Sequence, residues 1–138
     1  MSFALDTTVV VRVLTGTPTE LAALARRTIG AASVPVTISD LVVSEAYFTL
    51  RHHYKVTQVD ALESLHAMLS DPTIRALGQA PAVISEMLGS ATGVRKPGLM
   101  DRLIEAEYRD AGFDVLTFDR DMSRLPAARL LKDDAATS

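Results

Sequence analysis

The apolar residues of this chain follow two patterns that alternate along it. Some segments place apolar residues three or four positions apart, which predicts helices with one buried face. Short, mostly apolar runs lie between them and predict strands that are buried on both faces. The predicted helices are residues 19–32, 40–54, 57–69, 80–91 and 99–112, and the predicted strands are residues 34–38, 73–78 and 114–118. This alternation predicts an α/β fold with a parallel sheet covered by helices.

The ends of the helices carry separate signals. Ser39 precedes the helix at 40–54 as an N-cap, and Thr57 with Asp60 imitates a capping box. The beginning of the chain is ambiguous, because the valines and threonines of residues 7–14 favour a strand by propensity.

Composition narrows the class of protein. The chain has 138 residues, 48% of them hydrophobic, which suits one globular domain, expected over residues 1–132 with a frayed tail at 133–138. It has no cysteine, which excludes disulfides and thiolate zinc sites and fits a cytoplasmic protein. We expect no membrane attachment, because no apolar run reaches roughly 20 residues and no basic signal segment is present. The formal charge of −3 means that any binding of nucleic acid must rely on local basic groups or cations.

Carboxylates stand where α/β proteins place ligand sites. Asp6 and Asp119 each directly follow an apolar, strand-like run. Ligand sites in open α/β sheets lie beyond the carboxyl ends of the strands. Glu45 on a following helix and Asp101 in the first turn of the last helix can reach the same edge. Such a cluster of oxygen ligands suits Mg²⁺ or Mn²⁺, which would relieve repulsion among the acids.

Most of these acids also have a purely structural interpretation. Asp6 could cap a helix, and Asp101 could complement a helix dipole. Asp119 and Asp121 could form a polar turn.

Glu45 differs from the other acids. Its helical neighbours Leu41, Val42 and Phe48 are apolar, so Glu45 is expected to point towards the core. A charged carboxylate in the core is unfavourable by several kcal/mol unless it is paired or binds a metal. This position therefore favours a functional role.

The segments around these acids resemble the PIN domain, specifically VapC-type toxins of toxin–antitoxin pairs. The resemblance rests on LDTTVVVRVLTG, SDLVVSE, GLMDRLIEAEYRDAG and VLTFDRDMSRLP and spans nearly the whole chain. It implies a PIN-like three-layer α/β/α fold with a small central parallel sheet, and metal-dependent endoribonuclease activity. The four acids of the family fall on Asp6, Glu45, Asp101 and Asp119. The resemblance also implies that a helix begins directly after Asp6, against the strand propensity there.

The resemblance implies further residues and partners. The four acids would bind Mg²⁺, or Mn²⁺, and hydrolyse RNA with water as the nucleophile. A cognate antitoxin and a homodimer are the expected protein partners. The chain departs from the family at Thr8, where Asn or Ser is common, and at Arg102, where a small residue is common. The less certain site residues are Asp121, Thr8 and Thr117, and the arginines predicted to contact RNA are Arg12, Arg102 and Arg120.

Two other functions stay open on the sequence. An aspartyl-phosphate phosphotransferase also begins with an aspartate after its first strand, but it usually has a second aspartate two residues later, where this chain has Thr8. A non-catalytic PIN-like binding module would use the acids only as caps and turns. The position of Glu45 argues against that module.

Overall fold

The computed structural model describes residues 2–90 and 96–132. The tail predicted at 133–138 and the last residue of the helix predicted at 80–91 lie outside these described residues. The helices are α1 Thr7–Thr15, α2 Thr19–Ala31, α3 Asp40–His52, α4 Gln58–Leu69, α5 Ala80–Gly89 and α6 Leu99–Asp110. The strands are β1 Val36–Ile38, β2 Ile74–Ala76, β3 Val115–Thr117 and β4 Ala128–Leu130, and a 3₁₀ turn spans Met122–Arg124.

The first helix overturns the prediction from propensity. The valine-rich residues 7–14 are not a strand but lie within α1, as the family resemblance implied. Val10 and Val11 are buried on one side of α1. Tertiary packing of this apolar side outweighs the modest preference of valine for strands.

The strands are short and parallel. β1 pairs with β2, and β3 pairs with β4. A parallel bridge between Ala4 and Thr37 brings the beginning of the chain alongside β1. The α/β class with short parallel strands is therefore confirmed, although in the described residues the strands form two separate pairs. The sequence did not predict β4.

Two apolar clusters stabilise the fold. The larger one joins the helices to β1 and β2, and its fully buried side chains include Val10, Ile38, Leu62, Ile84 and Met87. A small second cluster of Val115, Met122 and Leu125 supports the segment between β3 and β4. None of the helices in the described part of the chain is both long and apolar enough to span a membrane.

A side chain of α3 caps another helix. The two carboxylate oxygens of Asp40 accept hydrogen bonds from the backbone N–H groups of Gln79 at 2.8 Å and Ala80 at 2.9 Å. Asp40 thereby satisfies N–H groups at the start of α5 that have no partner within that helix. A Cβ at Gly78 would collide with this carboxylate, so the close approach requires glycine.

Candidate active site

Asp6 is the N-cap of α1. Its Oδ1 accepts hydrogen bonds from the backbone N–H of Thr8 at 2.6 Å and from the Thr8 hydroxyl at 2.8 Å. These bonds hold the pKa of Asp6 below its ordinary value, with the Thr8 hydroxyl as the largest cause. The carboxylate is thus charged and held in place while it stays exposed. Its role as a cap leaves it accessible to a ligand.

Glu45 lies on the exposed side of α3, so the expectation that it points towards the core is wrong. The buried stripe of α3 runs through Val43 and Ala46 instead. Two of the three apolar neighbours that suggested burial are themselves exposed, Leu41 by 83% and Phe48 by 60%, while Val42 is partly buried against the core. Apolar neighbours on a helix do not mark the core when they belong to an exposed apolar surface.

Thr7 connects Glu45 to the beginning of α1. Its hydroxyl Oγ1 donates a hydrogen bond to Oε1 of Glu45. The bond crosses between α1 and α3, which pack against each other. Since Thr7 follows Asp6 directly, the first turn of α1 orients both acids through its threonines. The role of Thr7 was not predicted from the sequence, although its position directly after the first acid could have indicated it.

Asp101 lies half-buried in the first turn of α6. Burial raises the pKa of Asp101, and the negative charges of Asp119 and Asp121 raise it further. These two causes place the three carboxylates within one electrostatic field. The predicted approach of α6 to the end of β3 is therefore present in the structure, and α6 packs against β3.

Asp119 forms the polar turn that its structural interpretation predicted. Its Oδ1 accepts hydrogen bonds from the backbone N–H of Asp121 at 2.8 Å and of Met122 at 3.3 Å. Its own N–H donates to Oγ1 of Thr117 at 3.0 Å. Asp119 therefore caps the 3₁₀ turn, and Thr117 contacts its backbone. The carboxylate stays exposed despite these bonds.

Asp121 has a basic partner of its own. Its Oδ1 lies 3.2 Å from Nη2 of Arg124, and both side chains are partly exposed. An exposed pair of this kind contributes about 0–1 kcal/mol, so it is easily exchanged for another cation.

The acids fall into two groups. The first comprises Asp6 and Glu45 with their threonines, and the second comprises Asp101, Asp119 and Asp121. Within residues 2–90 and 96–132, no three acidic or histidine side chains already lie in an arrangement that could hold a metal ion. The donors nevertheless fit Mg²⁺ or Mn²⁺ in chemistry, since all are oxygens. The repulsion that raises the pKa of Asp101 is also what a bound cation would relieve.

Glu105 is the second residue whose role the sequence did not reveal. It looks like one more carboxylate near the site, yet only 2% of it is exposed. It accepts hydrogen bonds from Nε of Arg109 at 2.9 Å and from the backbone N–H of Ala127 at 2.9 Å. Glu105 therefore ties α6, which carries Asp101, to the chain that follows the 3₁₀ turn.

The arginines predicted to contact RNA have different surroundings. Nε of Arg102 donates to the backbone oxygen of Pro97 at 2.7 Å, which gives it a local structural role. Arg120 is exposed beside Asp119 in the chain. Arg12 is half-buried and lines a pocket with Thr7 and Thr8.

Comparison with known proteins identifies the family of the chain. No curated protein and no solved structure gives a match. The family model described as PIN domain matches residues 3–128, a range that includes every acid of both groups. The chain belongs to the PIN domain family.

Proposed function

We propose that the protein is a metal-dependent endoribonuclease whose catalytic acids are Asp6, Glu45, Asp101 and Asp119. PIN domains are generally metal-dependent nucleases, so membership of the family supports a nuclease-type hydrolase that acts on RNA. The observation that carries the residue assignment is geometric: α6, which has Asp101 in its first turn, packs against β3, which ends two residues before Asp119, while threonines of α1 bond Asp6 and Glu45. The pKa of Asp101, raised by burial and then by Asp119 and Asp121, agrees with a place where a cation would be favourable.

The four acids would hold Mg²⁺, or Mn²⁺, with Asp121 as a weaker ligand. When bound, the cation would stabilise the charge that develops on the phosphate and make water a better nucleophile. Asp6 and Glu45 are held for this role by Thr8 and Thr7.

The second group of acids has its own supports. The 3₁₀ turn holds Asp119 through the backbone N–H groups of Asp121 and Met122. The half-buried position of Asp101 keeps part of its carboxylate away from bulk water. In such surroundings, the attraction between this carboxylate and a cation is stronger than in water.

The product ends test this mechanism. Attack by water that displaces the 3′-oxygen leaves a 5′-phosphate and a free 3′-hydroxyl, whereas attack by the RNA 2′-hydroxyl displaces the 5′-oxygen and leaves a 2′,3′-cyclic phosphate. We expect mass spectrometry of cleaved RNA to find the first pair of ends, and EDTA to stop cleavage. Cyclic phosphate ends together with activity in EDTA would refute the metal mechanism.

The histidines provide a second test. If no histidine acts as a general base, changing His52, His53 and His66 one at a time to alanine should leave kcat nearly unchanged. Loss of a general base would instead lower kcat by about 10²–10⁴-fold. The phosphotransferase alternative has no support from the family match, and an absence of any cleavage would favour the non-catalytic binding module.

We further propose that this nuclease is the cytoplasmic toxin of a toxin–antitoxin pair and forms a homodimer. The motifs around the four acids, which resemble VapC-type toxins, support this proposal. Induced expression should arrest growth, and co-expression of its cognate antitoxin should restore growth, because the antitoxin would cover the acidic site. Light scattering should give twice the mass of one chain. Unimpaired growth would contradict the toxin role. A strict monomer at micromolar concentration would contradict the homodimer.

A further inference from the structure

A pocket opens directly beside the first group of acids. It has a volume of about 280 Å³ and lies between the first turns of α1 and the end of α3. Its lining includes Thr7, Thr8 and Arg12 from α1, and Thr49, His53 and Tyr54 from the end of α3 and the residues after it. Two of these residues also hold the proposed catalytic acids, because Thr7 bonds Glu45 and Thr8 bonds Asp6. The pocket and the acids therefore share one wall.

The side chains that line the pocket include one fixed positive charge, that of Arg12. Arg12 and His53 are basic, and no acidic residue is among those that line the pocket. Arg12 is half-buried, and within residues 2–90 and 96–132 its guanidinium has no hydrogen-bond or ion-pair partner. A half-buried guanidinium loses part of its hydration, so an anionic ligand would stabilise it.

Two other basic residues near this end of α3 have contacts outside the pocket. Nη1 of Arg51 donates to the backbone oxygen of Val56 at 2.8 Å. The ring of His52 lies against Phe48, with centroids 4.3 Å apart. Arg12 and His53 are thus the basic groups here that face the pocket.

We propose that this pocket binds an RNA backbone phosphate next to the phosphate that is cleaved. Arg12 would donate to the phosphate oxygens, with His53 as a further donor. The inference rests on the proposed ribonuclease function, because the pocket gains its meaning from the acids beside it. A volume slightly below the roughly 300–1,000 Å³ of small-molecule sites suits one nucleotide of a longer strand.

The pocket would set the position of a bound strand relative to the acids. Phosphate contacts fix the register of a strand without reading its bases. A strand held in the pocket would have its next phosphate beside Asp6 and Glu45, since these acids are bonded to residues of the pocket wall. Arg12 would therefore set which phosphate, counted from the one it holds, lies beside the acids, without reading the bases.

Binding measured without cleavage tests the proposal. The probe is a fluorescein-labelled pool of random 12-nucleotide RNA, and its anisotropy is measured in EDTA over a range of salt concentrations. We expect Arg12→Gln to weaken binding on the order of tenfold, the loss of one charge-assisted hydrogen bond. The negative slope of log K against log salt should become shallower by about 0.7, because one phosphate contact is lost.

Matched variants separate a pocket contact from bulk charge. Arg27→Gln removes the same charge from an exposed site on α2 and should leave affinity and slope unchanged. His53→Gln changes an exposed side chain, so it tests the pocket even if Arg12→Gln fails to fold. Its control is His52→Gln, because His52 packs on Phe48 outside the pocket. The pocket variants should weaken binding and the controls should not.

The outcomes separate this inference from the function it rests on. An unchanged slope in Arg12→Gln, an equal loss in Arg27→Gln, or no RNA binding by the wild-type protein would overturn the pocket. RNA binding that depends on Arg12, with no cleavage after Mg²⁺ is added, would instead refute the nuclease and leave the pocket standing. Normal cleavage by both the wild-type protein and Arg12→Gln would refute the pocket and leave the nuclease function standing.

Discussion

The two groups of acids are stabilised in opposite ways. Asp6 and Glu45 each receive a hydrogen bond from a threonine hydroxyl in the first turn of α1. The pKa of Asp101 is instead raised, first by burial and further by the charges of Asp119 and Asp121. The pKa of Asp6 is lowered. The first group is therefore held by threonine hydrogen bonds, while Asp101 in the second group is half-buried beside two further negative charges that a cation would balance.

Asp101→Asn should have the largest effect. Removing this carboxylate from the second group should lower kcat/KM by at least about 10²-fold, beyond the roughly 10–100-fold that loss of a supporting residue causes. Asp60→Asn is the matched control, because Asp60 occupies the first turn of α4 as Asp101 occupies that of α6. A fluorescent RNA cleavage assay measures both. Asp101→Asn activity equal to that of wild type would remove Asp101 from the site.

Thr7→Val should affect the first group less severely. It removes the hydroxyl that donates to Glu45, so we expect roughly 10–100-fold loss of activity or metal affinity. Thr7→Ser keeps the hydroxyl and should recover most of the loss. Kinetics and calorimetric titration with Mg²⁺ measure the two effects, and equal activity in both variants would show that the hydroxyl is dispensable.

The support behind the second group depends on a buried charge. Arg109→Met leaves the carboxylate of Glu105 buried without its cation, and it should reduce the free energy of unfolding by roughly 1–3 kcal/mol. This lies below the effect for fully buried pairs, because Arg109 is half exposed. Arg129→Met breaks an exposed pair with Asp114 and should change the free energy of unfolding by less than about 1 kcal/mol. Urea denaturation compares them, and equal losses would argue against Glu105 as a special anchor.

The smallest effect concerns the charge within the second group. In metal-free protein, Asp119→Asn should lower the pKa of Asp101, and Asp121→Asn should lower it less. Because the folded state raises this pKa, the contribution of Asp101 to stability is present below the ordinary value of 3.8 and is lost as the pH rises through the raised value. Carboxyl NMR titration gives the pKa directly. If neither variant changed the pKa of Asp101, the three acids would not interact with one another.

The sequence predicted those elements whose local signals agree. Ser39 caps α3 and Thr57 caps α4 by accepting from Val42 and Asp60, as their positions indicated. The location of α1 needed the family resemblance, because its valines favour a strand when they are considered alone. β4 escaped prediction because its residues 128–130 lack β-branched side chains, and its pairing with β3 supplies the missing preference.

The candidate site was predictable in its acids but not in their surroundings. The exposure of Glu45 depends on which stripe of α3 packs inward, and the exposed Leu41 and Phe48 obscure that stripe. The burial of Glu105 depends on the N–H of Ala127, which lies 22 residues away. Contacts of this kind between distant segments leave no periodic signal in a single sequence.

The contact between Gly78 and Asp40 also limits how this protein can evolve. A side chain at position 78 collides with the carboxylate that caps α5, so the two positions cannot change independently. Gly78→Ala alone should destabilise the fold, whereas the same change should be milder once Asp40 is shortened to serine. The two substitutions are thus epistatic, with an interaction energy on the order of 0.5–3 kcal/mol for directly contacting residues. Glycine at position 78 is therefore expected to persist for as long as an acid caps the next helix.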